Sequence, residues 1–225
     1  MDYRTWAPVY ERILADFGYS RAADERARDT LATLVDPFDE SRFDPVAGAT
    51  VAVAGAGPSL VDEAGLAADA DLVFAASTAA KTLRENGVDV DLMVTDLDKT
   101  PATARTLTRE GVPVAVHAHG DNVPAVEEWV PRLDGEHVAP TTQAEPRGPV
   151  ANYGGFTDGD RAAFLADAFG AANLRFPGWD VDDPSVDATK RRKLGWAERL
   201  LAWLERRRGE RFAVLDGRRD DVELP

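Results

Sequence analysis

From Thr50 onward the chain alternates short apolar runs with stretches of helical character, and no other feature restricts its fold as much. The strand candidates are the runs Thr50–Ala54, Leu72–Ala76, Asp91–Val94, Val112–Val116 and Phe212–Leu215, together with Asn173–Phe176. Each is four or five residues long, and Thr50–Ala54 suits a strand buried on both faces. Between them lie helix signals. Thr78 can cap a helix that ends at Asn86-Gly87, Thr100-Pro101 opens one through Arg109, and another lies around Val126–Val130. Asp158–Phe169 reads as helix, and a long helix runs from about Thr189 to Arg208. Strand–helix alternation at this spacing predicts a Rossmann-like α/β fold, a mostly parallel sheet with helices on both faces.

The first 47 residues have a different pattern. Trp6, Val9, Tyr10, Ile13, Leu14 and Phe17 follow helical spacing up to Gly18, and Ser20 can cap a second helix reaching about Val35. Residues 1–47 are therefore expected as a small helical appendage and residues 48–225 as the α/β catalytic domain. The chain has no apolar run of the ~18 residues a membrane span needs. It lacks a basic-then-apolar leader, so a cytoplasmic protein is expected. The absence of Cys excludes disulfides, thiol catalysis and Cys-based zinc sites. A net charge of -14 argues against nucleic acid or anionic membrane as partners. Oligomeric state is open, a homo-oligomer included.

Two carboxylate clusters fall where ligands bind in such a sheet, at the carboxyl ends of strands. Asp96 and Asp98 follow the run Leu92-Met93-Val94, and both can reach one cation if the chain kinks between them. Gly154-Gly155-Phe156-Thr157-Asp158-Gly159-Asp160-Arg161 sets two acids and an Arg at a helix start, where capping explains only one of the acids. After the fourth strand, His117, His119, Asp121 and Asn122 place another acid at the same edge, although an N-cap alone would account for it. The turn Gly55-Ala56-Gly57-Pro58-Ser59-Leu60 is neither a dinucleotide fingerprint nor a Walker A loop. It reads equally as a phosphate loop and as a tight turn. Lys190, Arg191, Arg192 and Lys193 form the one basic cluster; they suit a triphosphate or a charged helix face. Paired acids with nearby cations point to phosphate chemistry around a hard cation such as Mg²⁺.

In order, Gly55-x-Gly57-Pro58-Ser59-Leu60, Thr95-Asp96-Leu97-Asp98, His119-Gly120-Asp121-Asn122 and Gly155-Phe156-Thr157-Asp158-Gly159-Asp160-Arg161 resemble the archaeal MptE-type 6-hydroxymethyl-7,8-dihydropterin pyrophosphokinases over roughly residues 48 to 200. Gly178-Trp179-Asp180, followed by Lys190 and Lys193-Leu194, is similar to that family's downstream segments, with Trp179 a departure. The resemblance implies a thiamin pyrophosphokinase-like catalytic domain. It also implies a reaction in which ATP and the reduced pterin give AMP and the pterin diphosphate with Mg²⁺, in tetrahydrofolate or methanopterin biosynthesis. On that reading Asp96, Asp98 and Asp121 hold Mg²⁺. Asp158, Asp160 and Arg161 serve catalysis. Gly55, Gly57, Pro58, Ser59, Asn122, Lys190 and Lys193 contact ATP or pterin, with Asn152 and Thr157 further candidates for the pterin. Two rivals are weighed beside it: a nucleotide-sugar glycosyltransferase, for which D-x-D and a divalent metal also fit, and a non-catalytic nucleotide-binding protein on the same fold.

Composition has a consequence of its own. Asp outnumbers Glu 26 to 14, and only four of the 26 basic residues are Lys. Such proteins resemble those of salt-loaded, halophilic cytosols, where screening relieves repulsion among surface carboxylates. The melting temperature is expected to rise between dilute buffer and molar KCl; a flat or falling value would contradict this.

Overall fold

The structure, a computed structural model, describes residues 1–225. Six parallel strands form one sheet: β1 (Thr50–Ala54), β2 (Leu72–Ala76), β3 (Leu92–Thr95), β4 (Val114–Ala118), β5 (Val138–Thr142) and β6 (Asn173–Arg175), in the order β5-β4-β3-β2-β1-β6. The period-2 alternation of side chains sorts each strand between two cores. Val51, Val53, Phe74, Leu92, Val94 and Ala115 face one. Ala52, Ala54, Val73, Ala75, Met93, Val114 and Val116 face the other.

Helices cover both faces. α3 (Ala64–Ala68), α4 (Ala79–Glu85), α5 (Pro101–Arg109) and α6 (Val123–Trp129) follow β1 to β4 as the chain steps outward one strand at a time, and all pack on one side. After β5, α7 (Asp158–Ala168) carries the chain back over the other face to β6, on the far side of β1. Right-handed crossovers require this change of face when the direction of stepping reverses. α7 therefore lies against β1, β2 and β3, with Asp160 to Ala166 wholly buried, and α8 (Ala188–Arg208) packs outside it.

One strand lies outside the expected runs, and one expected run is not a strand. Val138–Thr142 is a strand although Pro140 interrupts it; β5 is an edge strand, where a missing N–H costs no ladder bond on the open side. Phe212–Leu215 is not a strand. Ala213–Leu215 is a 3-10 turn and Phe212 is buried in the α7–α8 core. The N–H of Leu174 on β6, which a seventh strand could have paired, donates to the Glu210 carboxylate instead at 2.9 Å.

The N-terminal helices contribute to both cores. Trp6, Tyr10 and Ile13 of α1 (Tyr3–Phe17) join the β1–α7 cluster, while Ala27 and Leu31 of α2 (Arg21–Ala32) join the other. Helix α2 ends at Ala32, earlier than Val35. The division between residues 47 and 48 stands as a proposal about segments of the chain. Ile13 is 1% exposed, so Ile13→Ala should cost about 2–4 kcal/mol in a single cooperative unfolding transition. A cost near zero in urea titration would mean that α1 is energetically detached.

Candidate functional site

The loops leaving β1 to β4, the lead into α7 and the segment after β6 all open on one cavity of about 590 Å³ at the carboxyl edge of the sheet. This is the position where strand order reverses and loops diverge to opposite faces. Of the residues expected in the site, Gly55, Gly57, Asp96, Asp98, Asp121, Asp158, Arg161, Lys190 and Lys193 line it. Pro58, Ser59, Asn122 and Asp160 do not.

The kink that would let Asp96 and Asp98 act together is present. Leu97 between them has φ 66, a left-handed conformation that a Leu adopts at a cost of roughly 1–2 kcal/mol. Its side chain is 1% exposed, and its N–H donates to Thr95 Oγ1 at 3.0 Å. Burial of one Leu thus anchors a strained turn. The N–H of Asp98 returns to Asp96 Oδ1 at 3.2 Å, and the two carboxyls lie close enough to share a proton.

Electrostatics follows from this crowding. Burial opposes charge on Asp96, but hydrogen bonds from His119 (Nε2 to Oδ2 3.4 Å) and Asp98, with the Arg161 charge, outweigh it and hold Asp96 well below the usual carboxylate range. Asp98 takes the other side: partial burial, then the bond and charge of Asp96, push it up to about 6. Asp158 is pushed up to about 7 by burial and then by Asp96, although Arg161 Nη1 donates to its Oδ1 at 3.0 Å.

Cations ring these acids. Three of the chain's four lysines, Lys99, Lys190 and Lys193, line the cavity, whereas the basic cluster itself divides. Lys190 and Lys193, three residues apart on α8, share its inward side; Arg192 turns away to Asp16 and Arg191 to the carbonyl of Val186. Desolvation, then the charge of Lys99, lowers the Lys190 pKa.

Several expected residues serve the scaffold. Asp160 forms a capping box with Thr157: its carboxylate accepts from the N–H groups of Phe156 and Thr157 and from Thr157 Oγ1 at 2.6 Å. Such a cap contributes about 1 kcal/mol. Asn122 is buried and donates from Nδ2 to the carbonyls of Asp96 and His117, which ties the β3 loop to the β4 loop. Asn152 bridges Ala144 and Gly154 in the approach to α7.

At the first turn, a Cβ on Gly57 would stand 2.2 Å from Asp180 Oδ2 and 2.7 Å from the carbonyl oxygen of Gly178. The protein's own chain after β6 thus requires glycine there. Asp180 also takes the N–H of Ser59 at 2.9 Å, a donor that a phosphate would have used. Pro58 and Ser59 lie on the other side of this crossing, along a second cavity.

The residue pattern did not single out Lys99, Asp24, Gln143, Tyr19 and Ser77 as parts of this cavity. Lys99 had a signal in the rarity of Lys. The others come from elements far apart in sequence and had none. Ser77 has φ 48, and its buried Oγ has no hydrogen-bond partner.

No three His, Asp or Glu side chains form a ready-made chelating group. The Asp96–Asp98 pair nonetheless fits Mg²⁺, which commonly takes one or two carboxylates and completes its shell with phosphate oxygens and water. A pair that shares a proton is also the donor set a hard cation would relieve. Asp121 is exposed at the rim, with its N–H 3.5 Å from His119 Nδ1, and does not complete a three-ligand group with that pair.

Comparison with known proteins supplies independent information. A family model described as "6-hydroxymethylpterin diphosphokinase MptE-like" matches residues 25–185. The chain is similar to proteins named 6-hydroxymethyl-7,8-dihydropterin pyrophosphokinase from three archaea. It is 38% identical to that of Methanothermobacter thermautotrophicus, over 92% of this chain and 96% of the relative. For Pyrococcus furiosus the identity is 37%, over 91% and 95%. For Methanocaldococcus jannaschii it is 30%, over 91% and 96%.

Proposed function

The chain belongs to the MptE-like family of 6-hydroxymethylpterin diphosphokinases, and on that premise we propose that its cavity transfers the terminal diphosphate of ATP to 6-hydroxymethyl-7,8-dihydropterin, with Mg²⁺. The enzyme is a pterin diphosphokinase, and its products on this reading are AMP and the pterin diphosphate. The product feeds tetrahydrofolate or methanopterin biosynthesis. One observation carries the assignment of the site: in a chain with four lysines, three meet Asp96, Asp98 and Asp158 around a single cavity at the carboxyl edge of the sheet.

The chemistry sets the roles. The pterin hydroxymethyl oxygen attacks the β-phosphorus of ATP, its proton is lost, and the bond from the β-phosphorus to the α,β-bridging oxygen breaks as AMP departs. Little covalent work falls to the protein, so positioning and charge neutralisation dominate. Lys99, Lys190, Lys193 and Arg161 surround the place where phosphate charge shifts, and there preorganised cations stabilise the transition state without reorganising. Asp158, with its pKa raised to about 7, is suited to accept the hydroxyl proton near neutral pH. Asp96 and Asp98 would hold Mg²⁺. That ion supplies charge neutralisation across the phosphate oxygens when bound. Asp160 and Asn122 act at one remove: the first fixes the start of α7, and with it Asp158 and Arg161, and the second ties the Asp96 loop to its neighbour. Gly55 and Gly57 form the cavity wall beside Ser77 and Trp179, a surface suited to a nucleotide. No helix is long and apolar enough to cross a membrane.

Reaction type is the decisive test. With ATP, Mg²⁺ and the reduced pterin, AMP should appear in equal amount to pterin diphosphate. An ATP analogue with a non-cleavable α,β-bridge should inhibit without reacting. Formation of ADP would mean single phosphoryl transfer, and turnover of a sugar nucleotide without AMP would favour glycosyl transfer; either result overturns the proposal.

A further inference from the structure

Arg161 reaches the cavity from the second turn of α7 with both terminal nitrogens engaged. Nη1 donates to Asp158, and Nη2 donates to Gln143 Oε1 at 3.2 Å. Gln143 lies just beyond β5, and its main-chain oxygen accepts from Trp6 Nε1 of α1 at 2.9 Å. Its side-chain Nε2 donates to Asp24 Oδ2 at 2.8 Å. Asp24, on α2, also accepts from Tyr10 Oη at 2.7 Å and, through Oδ1, from the N–H of Gly120 at 2.7 Å. Asp24, Gln143 and Arg161 are 3%, 4% and 7% exposed, so water does not compete freely for these bonds.

The polarity of this chain of bonds is fixed at both ends. Arginine only donates, and an ionised carboxylate only accepts. The Gln143 amide can satisfy both neighbours in one orientation alone, NH₂ toward Asp24 and oxygen toward Arg161. Tyr10 remains a donor, because burial and then the bond to Asp24 raise its pKa far above any working pH. Three donors thus converge on Asp24, and only an acceptor with two oxygens meets all of them. The Gly120 bond also fixes the loop that carries His119 and Asp121. Building on the diphosphokinase reading, we propose that Asp24 is a positioning residue. It acts through Gln143 to set Arg161 against the transferring phosphates, and the N-terminal helix pair is thereby part of the catalytic apparatus.

The test is an exchange of polarity. Asp24→Asn leaves one acceptor for three donors, so Gln143 gains by flipping and turns its NH₂ toward the guanidinium. Turnover should fall about 10–100-fold, as expected for a displaced phosphate contact, with KM for ATP rising as well and KM for the pterin moving less than about threefold. Adding Gln143→Glu supplies a carboxylate that accepts both from the amide introduced at position 24 and from Arg161, and the double variant should regain at least about tenfold of the lost kcat. Full kcat in Asp24→Asn, or a folded double variant no faster than Asp24→Asn, would overturn the proposal. Should Asp24→Asn not fold, Gln143→Met removes the relay alone and should lower kcat to a similar extent; wild-type kcat there would also overturn it.

The same variants separate this proposal from the reaction on which it rests. If the wild-type protein forms no AMP, calorimetric titration with inorganic pyrophosphate still reads the setting of Arg161. Weaker binding in Asp24→Asn, restored in the double variant, supports the positioning role without the reaction. Equal binding in all three proteins overturns it.

Discussion

Asp96, Asp98 and Asp158 line one cavity at the carboxyl edge of the sheet, near enough that their charges act on one another, and the arrangement of cations and loops around them answers that repulsion. Near a protein surface two like charges in contact oppose one another by a few kcal/mol, on the order of the net stability a small domain retains. The protein relieves this in two ways. Asp98 and Asp158 keep protons up to about pH 6 and 7, leaving Asp96 the fixed negative charge. Arg161 sits between Asp158 and Gln143, and three lysines close the ring. A cation held by Asp96 and Asp98 against polyphosphate would relieve this repulsion, so the cost carried by the free protein favours its substrate complex.

The sheet makes this possible by geometry. Parallel strands deliver every strand-end loop to one edge, and the return of α7 over β1 to β3 brings the acid–Arg pair of residues 158 and 161 above the Asp96 loop. Each loop is then fixed locally: Leu97 by burial of a strained turn, the α7 start by the Thr157–Asp160 box, and the first turn by the chain after β6. The N-terminal helices, remote in sequence, complete the wall through Tyr19 and Asp24.

What was legible in the chain follows from how local each determinant is. β1 to β4 and α7 were readable because they are buried apolar runs and strong caps. β5 was hidden by Pro140, whose tolerance depends on being at a sheet edge, a property of topology alone. The apolar run Phe212–Leu215 satisfies a strand pattern and a buried turn equally well; only the position of α8 decides between them. Within the site, acids at strand ends were legible, but Asp158 and Asp160 look alike in sequence and diverge because the cap consumes the second. Asp24 and Gln143 were invisible, since these partners are 119 residues apart. The glycine turn resembled a phosphate loop, but the close approach of Gly178 and Asp180 already accounts for Gly57.

The most direct measurement is a crystal structure with Mn²⁺ in place of Mg²⁺ and the α,β-non-cleavable ATP analogue, with the metal located by anomalous scattering. The account predicts one or more Mn²⁺ ions on Asp96 and Asp98, with the β- and γ-phosphates against Lys99, Lys190, Lys193 and Arg161. Metal and triphosphate elsewhere, with no metal on the Asp96–Asp98 pair, would contradict it.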